Sequence, residues 1–404
     1  MTRPRIAFWF RYGPAEHAEL FHALPELIAD LARHADVHYF GMKSEKKLPD
    51  LIQRHATVHL LPFTVRRTSN RDKLLKTLLW ILWLPRVART CRNLGIHAVY
   101  IDETIPFTAS IARRWFGPRT AITVADFFVD IYLAPHRPLR PLARWIRRFD
   151  LNSWRHLPLI FTRARATRDY LATQGIDPHR VLPVYDPCDT TVYKPLDKTQ
   201  CRQTFNFSPD TIVLVHHGIL HPNKANDRIL RAFARLLPHH PRLHYLLVGD
   251  GPDKPHLERL IRELGLQNHV TLTGWLPTLA DVNRALNAGD IGLVMRAGHQ
   301  SDNFHMTGAL VHAMAVGLPI LAARLGGISE AVRPDHNGLL FDPICEEEFD
   351  QALLRLAHSP DLRARLGTNA LQDAQQLFSM ESVIQRTNTA LLDLAAGKDP
   401  SHDS

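Results

Sequence analysis

The sequence predicts an α/β protein built from two doubly wound domains, and three observations carry that prediction. Short apolar runs alternate with amphipathic helical stretches along both halves, the pattern of parallel sheets covered by helices on both faces. A length of 404 residues suits two domains of ordinary size, each able to bury its own core. Between the halves, the stretch 186–210 (DPCDTTVYKPLDKTQCRQTFNFSPD) is polar and carries the proline-marked turns of a linker. The expected organisation is a first Rossmann-like domain over 1–194 and a second over 195–378. A last amphipathic helix over 379–396 is placed to pack back on the first domain, and the tail 397–404 is expected to be disordered.

In the first half, RIAFWF (5–10), DVHYF (36–40), ATVHLL (56–61), HAVYID (97–102), TAITV (120–124) and LPLIF (157–161) read as buried strands. Amphipathic helical segments such as 16–33 lie between them. The second half repeats the alternation with TIVLVHHG (211–218), HYLLVGDG (244–251), HVTLTG (269–274), DIGLVM (290–295) and LPILAA (318–323). In the helix expected from Lys224, Ile229, Leu230, Phe233, Leu236 and Leu237 keep the spacing of one buried stripe.

Composition excludes several classes. A chain that is 45% hydrophobic and 22% charged is not disordered. Its four cysteines are far apart and form no CxxC pair, which argues against a disulfide framework or zinc site and for a reducing cytoplasm. The N-terminal run MTRPRIAFWFRYG lacks the longer core and cleavage site of a signal peptide. The net charge of +9 is uneven: residues 1–190 hold 29 Lys and Arg against 17 Asp and Glu, a balance of +12, and the rest hold 20 against 23. Only the first domain is therefore expected to face an anionic partner.

The second half carries GILHPNK (218–224), LLVGDGP (246–252), VTLTGWLP (270–277), AMAVGLPILAARLGGISEAV (313–332) and NGLLFDP (337–343), preceded by VYDPCDTTVYKP (184–195) with Asp189. Over roughly 210–396 this series resembles the C-terminal domain of family 4 retaining glycosyltransferases, and the first half matches more weakly. The resemblance implies the GT-B fold, two Rossmann-like domains facing a central cleft, and a nucleotide-sugar donor held by the second domain. It also implies retention at the anomeric carbon, no bound metal and no cofactor.

Residue by residue, the resemblance makes Lys224 the phosphate-binding lysine, six residues after Gly218, neutralising the leaving diphosphate. Thr307, Gly308, Ala309 and Leu310 should open a helix whose free N–H groups face the diphosphate, with Thr307 equally readable as a plain N-cap. Gly13 would allow close approach to the phosphates from the first domain, or serve an ordinary turn. Gly274, Trp275 and Leu276 match the loop that holds the base. Glu330 keeps the place of a glutamate supporting the donor pocket.

Four positions depart from the family pattern: Ala125 replaces a histidine, Ile219 an arginine, and Phe304 and His312 two glutamates eight residues apart. Phe304 cannot hydrogen-bond, whereas His312 can donate or accept and is a candidate ribose contact. Asp302, Asn303 and His305 are close enough in sequence to supply polar contacts to the sugar, and Asp126, next to Ala125, is the polar candidate at the reaction centre.

Two blocks interleave cations with apolar residues: KLLKTLLWILWLPRVARTCR (73–92) and HRPLRPLARWIRRFD (136–150). The first is too short to cross a bilayer, and Pro85 is expected to break it. Both suit a domain lying on an anionic membrane surface, with Trp and Leu inserted and Arg on phosphates, or else ordinary helix stripes with solvated basic faces. No nucleic-acid motif accompanies the charge, so nucleic acid is not an expected partner. The expected protein is a cytoplasmic transferase peripheral to the inner face of the membrane. It would move a sugar to a lipid-linked or saccharide acceptor. The alternative is a catalytically inactive relative that binds a partner through the same fold.

Overall fold

The computed structural model describes residues 3–21, 23–64, 70–125, 127–134, 136–298, 300–304 and 306–398. The chain divides into two compact units, Met1–Tyr185 with Glu381–Ser404, and Asp186–Met380. The first contains a seven-stranded parallel sheet made of β1 (Arg5–Trp9), β2 (Asp36–Met42), β3 (Ala56–Leu61), β4 (Ala98–Ile101), β5 (Thr120–Val124), β6 (Leu159–Thr162) and β7 (Val181–Pro183), in the order β3-β2-β1-β4-β5-β6-β7. The second contains a six-stranded parallel sheet made of β8 (Ile212–His217), β9 (Leu243–Val248), β10 (Val270–Leu272), β11 (Ile291–Val294), β12 (Ile320–Ala323) and β13 (Gly338–Phe341), in the order β10-β9-β8-β11-β12-β13.

These strands are short continuous apolar runs because helices cover both faces, so no alternation with polar residues is required. Phe8, Trp9, Phe10 and Tyr39 form the centre of the first core, and Phe233, Tyr245 and Phe341 that of the second; all are essentially fully buried. Register is parallel throughout, with Ile6 beside Ala98 across β1 and β4, and Gly292 beside Val215 across β11 and β8. In each sheet the order reverses next to the first strand, between β1 and β4 and between β8 and β11. Loops leaving the carboxyl ends of such a pair diverge, and the crevice they leave is where open α/β sheets bind ligands.

Three local expectations are corrected. The segment 16–33 is two helices, Pro14–Leu20 and Leu24–Leu31, separated at Phe21, which leaves helical geometry with φ −125° and ψ 88°. Pro85 does not break its segment, because helix Asn70–Asn93 runs through it. Pro85 is exposed, so the carbonyl it cannot bond meets water at little cost. The helix expected from Lys224 starts at Asn226, because Pro222–Lys224 forms a 3₁₀ turn and Ala225 takes a left-handed φ of 47°. The sheets also gain β7 and β13, edge strands of 3 and 4 residues.

The last helix, Met380–Ala396, lies with the first unit, where Asn388 donates from Nδ2 to the Leu27 carbonyl at 3.1 Å and to Asp30 at 2.9 Å. Among the described residues no helix is long and apolar enough to cross a membrane, and no group of three or more His, Cys, Asp or Glu is placed to hold a metal ion.

Candidate donor site in the second unit

The site is built on the loops that leave β8 and β11. Gly218 ends β8 with φ 124°, and its N–H donates to the Val248 carbonyl at 2.9 Å. Leu220 N–H donates to Asp250 O at 2.9 Å and Asp253 N–H to Leu220 O at 3.1 Å, so the GILHPNK loop is clamped on the VGDGP loop. The clamp requires Gly249 and Gly251: a Cβ there would come within 2.0 Å of the Gly218 carbonyl oxygen and 2.3 Å of the Leu220 carbonyl oxygen. Both also take positive φ, which L side chains resist. This fixed loop ends in the 3₁₀ turn carrying Lys224.

Lys224 is not a solvated lysine. It is largely enclosed, and burial together with the Arg296 charge lowers its pKa from 10.5 to about 8, against a smaller opposing pull from Asp302. Arg296, just beyond β11, is buried, and its Nη1 donates to Asp302 Oδ1 at 3.1 Å. Ala297 N–H donates to the Asn223 carbonyl at 2.8 Å, tying the β11 loop to the Lys224 turn. Sequence reasoning missed Arg296. The available signal was a charged residue directly after an apolar strand at the reversal point of the sheet.

Two histidines end β8. His216 is buried, its Nδ1 3.1 Å from the Leu293 carbonyl, and burial with the nearby Lys224 charge lowers its pKa to about 3. A carbonyl can only accept, so His216 carries its proton on Nδ1. Burial likewise lowers His217 to about 4, despite an interaction with its own carbonyl, and Lys224 contributes in the same direction. Both rings are therefore neutral at pH 7.

His312 lies in the helix Gly308–Ala315, stacked on Tyr193 with ring centroids 3.7 Å apart. Its Nδ1 is 3.1 Å from His217 Nε2. One ring donates and the other accepts in this contact, the roles being set by the tautomers. His312 Nε2 lies 3.9 Å from where a Cβ on Gly308 would stand. The imidazole edge thus sits at the first turn of that helix.

Thr307 is the N-cap of this helix, its side chain accepting from Leu310 N–H at 3.3 Å. The capping role is therefore real, and Gly308 and Ala309 carry the leading N–H groups. Leu310 is a core residue. Asn303 accepts the Gly326 N–H at 3.1 Å, fixing the start of the short helix Gly326–Ser329, and Glu330 follows that helix directly. Phe304 is half-buried, and Asp302 is buried beside Arg296. His305 lies outside the described residues.

Gly274, with φ 70°, bridges to Gly249 at the end of β9. Trp275 exposes 63% of its surface and Leu276 is half-buried, so this loop offers an open indole beside the same strand ends. Asp189 closes a local turn by accepting from Thr191 N–H at 2.9 Å and Thr191 Oγ1 at 2.6 Å. Ile219 is 56% exposed and supplies no charge.

In the first unit, Gly13 follows β1, and a Cβ there would stand 2.8 Å from the Met42 carbonyl oxygen and 2.9 Å from Ser44 Cβ. Packing against the end of β2 thus already requires glycine. Asp126 lies outside the described residues. Sequence reasoning also missed a polar cluster at the carboxyl ends of β1 and β4. There Arg11 donates to Glu103, Thr77 and Tyr12, each at 2.8 Å, and His17 Nε2 is 2.9 Å from Asp102. Burial alone would raise the Asp102 carboxyl, but the His17 contact and the Arg163 charge carry it below its ordinary value. Widely separated charged residues gave no motif that would flag this set.

Two doubly wound parallel sheets, the second with a cationic loop at its reversal point, define a protein of the GT-B fold. Solved structures agree. Anabaena Alr3699/HepE in complex with UDP superposes with a TM-score of 0.74 at 20% identity, covering 96% of this chain and 99% of that one. Sucrose-phosphate synthase from Thermosynechococcus elongatus gives 0.77 at 18%, covering 98% and 100%. Residues 211–359, which lie in the second unit, match the family described as glycosyl transferases group 1. A D-inositol 3-phosphate glycosyltransferase from Nocardioides sp. is 32% identical over 223 residues, 52% of this chain and 48% of the relative. The chain therefore aligns with about half the length of the curated relatives it matches.

Proposed function

We propose that this protein is a glycosyltransferase that moves a sugar from a nucleotide-sugar donor to a lipid-linked or saccharide acceptor, with retention and without a metal. The observation that carries the reading is Lys224, held by a glycine-dependent loop at the reversal point of the second sheet and stripped of much of its water. A desolvated cation there favours an anion, and a leaving nucleoside diphosphate is the anion the reaction generates. The leading N–H groups of helix Gly308–Ala315 add further donors, and His312 accepts from the ribose. The base lies against Trp275 and Leu276, with Gly274 allowing the turn, while Asn303, His305 and Glu330 supply polar support to the sugar. Asp126, which lies outside the described residues, is the polar candidate at the reaction centre, and the leaving phosphate helps take up the acceptor proton.

The acceptor side works at an anionic membrane surface. Helix Arg140–Trp154 exposes Leu142, Trp145 and Phe149 at spacings of three and four residues, flanked by exposed Arg137, Arg140, Arg144 and Arg148. Helix Asn70–Asn93 likewise exposes Leu75, Leu78 and Leu82, with Arg86, Arg89 and Arg92 beyond them. Each face pairs an apolar stripe with cations, the arrangement that binds anionic lipid. The proposed location is the cytoplasmic face of the membrane.

A thermal-shift panel of UDP-, GDP- and ADP-sugars tests the donor reading. A bound donor at one hundred times its Kd should stabilise by about 2.7 kcal/mol, and Lys224→Ala should abolish the shift. Absence of any shift in the wild type would favour the second reading, an inactive relative acting as a binding partner. Ile219, Phe304 and His312 are the observations that support it, since each lacks the side chain the family pattern implies.

A further inference from the structure

We propose that Arg296 is the second cation of the donor site, acting with Lys224 to grip the diphosphate and so to select nucleoside diphosphates over monophosphates. This rests on the donor reading above. Arg296 leaves β11 and Lys224 follows β8, the two neighbouring strands at which the sheet order reverses. The hydrogen bond from Ala297 N–H to Asn223 O, 2.8 Å long, holds the two loops side by side. Both cations therefore border the crevice where an open α/β sheet takes its ligand.

The arrangement is unbalanced without an anion. Arg296 is 8% exposed; Nη1 is taken by Asp302, while Nε is buried with no hydrogen-bond partner. Asp302 acts on both cations, and the adjacent His216 and His217 are neutral and contribute no charge. A structural ion pair would need only Arg296 and Asp302. The second cation at the same spot, close enough for each charge to disfavour the other, adds cost to the empty protein. A bidentate guanidinium beside a point-charge ammonium matches two linked phosphates better than one.

The test is titration calorimetry of UDP, GDP and ADP, each against its monophosphate, with folding of every variant checked by circular dichroism. Arg296→Gln should weaken the bound diphosphate at least tenfold and the monophosphate less than threefold. Arg296→Lys, which keeps charge but not the fork, should fall between. Asp302→Asn, which leaves both cations in place and removes their shared counter-charge, should tighten the diphosphate. Should Arg296→Gln fail to fold, Arg296→Lys and Asp302→Asn still decide the matter. Equal weakening of mono- and diphosphate by all variants would assign the pair a structural role and overturn the inference, leaving the donor reading intact. If the wild type binds no nucleotide, the donor reading falls and takes the inference with it.

Discussion

Replacing Lys224 with methionine should stabilise the unliganded protein while removing donor binding. In the folded protein the ammonium titrates at about 8, against an ordinary 10.5. A lysine whose folded pKa is lowered destabilises the fold wherever it is charged. The cost is fully present below pH 8, shrinks as pH rises, and vanishes above 10.5, where folded and unfolded chains are both neutral. A gap of about 2.5 pH units corresponds to roughly 3.5 kcal/mol at about 1.4 kcal/mol per unit, an upper figure because the side chain retains some exposure. Methionine keeps the length and apolar stem and removes the charge. For a unit of this size each kcal/mol moves the midpoint by about 2–4 °C, so Lys224→Met should melt several degrees higher at pH 7. The assay is calorimetric melting of both proteins from pH 7 to 10.5, with the difference narrowing toward the alkaline end. A Lys224→Met protein that melts lower than wild type at pH 7, or a difference independent of pH, would refute the claim that this lysine is held at a cost.

Four other outcomes follow from local geometry. Burial raises Asp150 to about 7 even though it accepts the Phe107 N–H at 3.0 Å, so its ionisation costs stability as pH rises from 4 to 7; Asp150→Asn should flatten that slope and melt higher at pH 8. Thr307→Ala removes the N-cap of helix Gly308–Ala315 and should cost about 1 kcal/mol by urea unfolding. Ala225→Gly relieves a left-handed φ of 47°, worth about 1–2 kcal/mol, but loses a buried methyl worth about 0.8; the net change in urea should stay within about 1 kcal/mol. Trp145→Ser with Phe149→Ser should cut sedimentation with vesicles rich in phosphatidylserine several-fold and leave donor binding unchanged, and unaltered sedimentation would remove that face from the membrane proposal.

Most of the fold is legible in the sequence because buried parallel strands need no partner-specific pattern. Their apolar runs, with glycines at the loops, locate eleven of the thirteen strands to within a few residues. The two missed, β7 and β13, are short edge strands whose pairing depends on neighbours already in place. Continuation of helix Asn70–Asn93 through Pro85 was illegible for a related reason: proline's cost depends on whether the orphaned carbonyl meets water, which only the packed helix shows. At the candidate site, Lys224, Gly218 and Thr307 are singled out by the family resemblance, and the fold places each at a local turn or cap. Tyr193 and the His217–His312 pair join segments about a hundred residues apart, and no local spacing encodes such a meeting.

On the proposed donor reading, Phe304 and His312 at the places of two carboxylates change the charge of the site as well as its hydrogen bonding. His312 can accept through a ring nitrogen, as a carboxylate would, but it brings no negative charge. Phe304 brings neither. Asp302 pairs with Arg296, and Lys224 adds a second positive charge close by. On the proposed donor reading that local positive charge favours a highly charged ligand over a neutral saccharide. His312→Glu separates the effects: it restores a negative charge about 3 Å from His217, which should raise the pKa of that imidazole toward its ordinary value. If the pocket is tuned for the diphosphate, the variant should bind UDP more weakly even though its carboxylate can still accept from the ribose. Tighter binding would show that ribose recognition, rather than charge, limits affinity. The imidazole resonances of His217 followed against pH, with UDP titrations on the same sample, give both readouts.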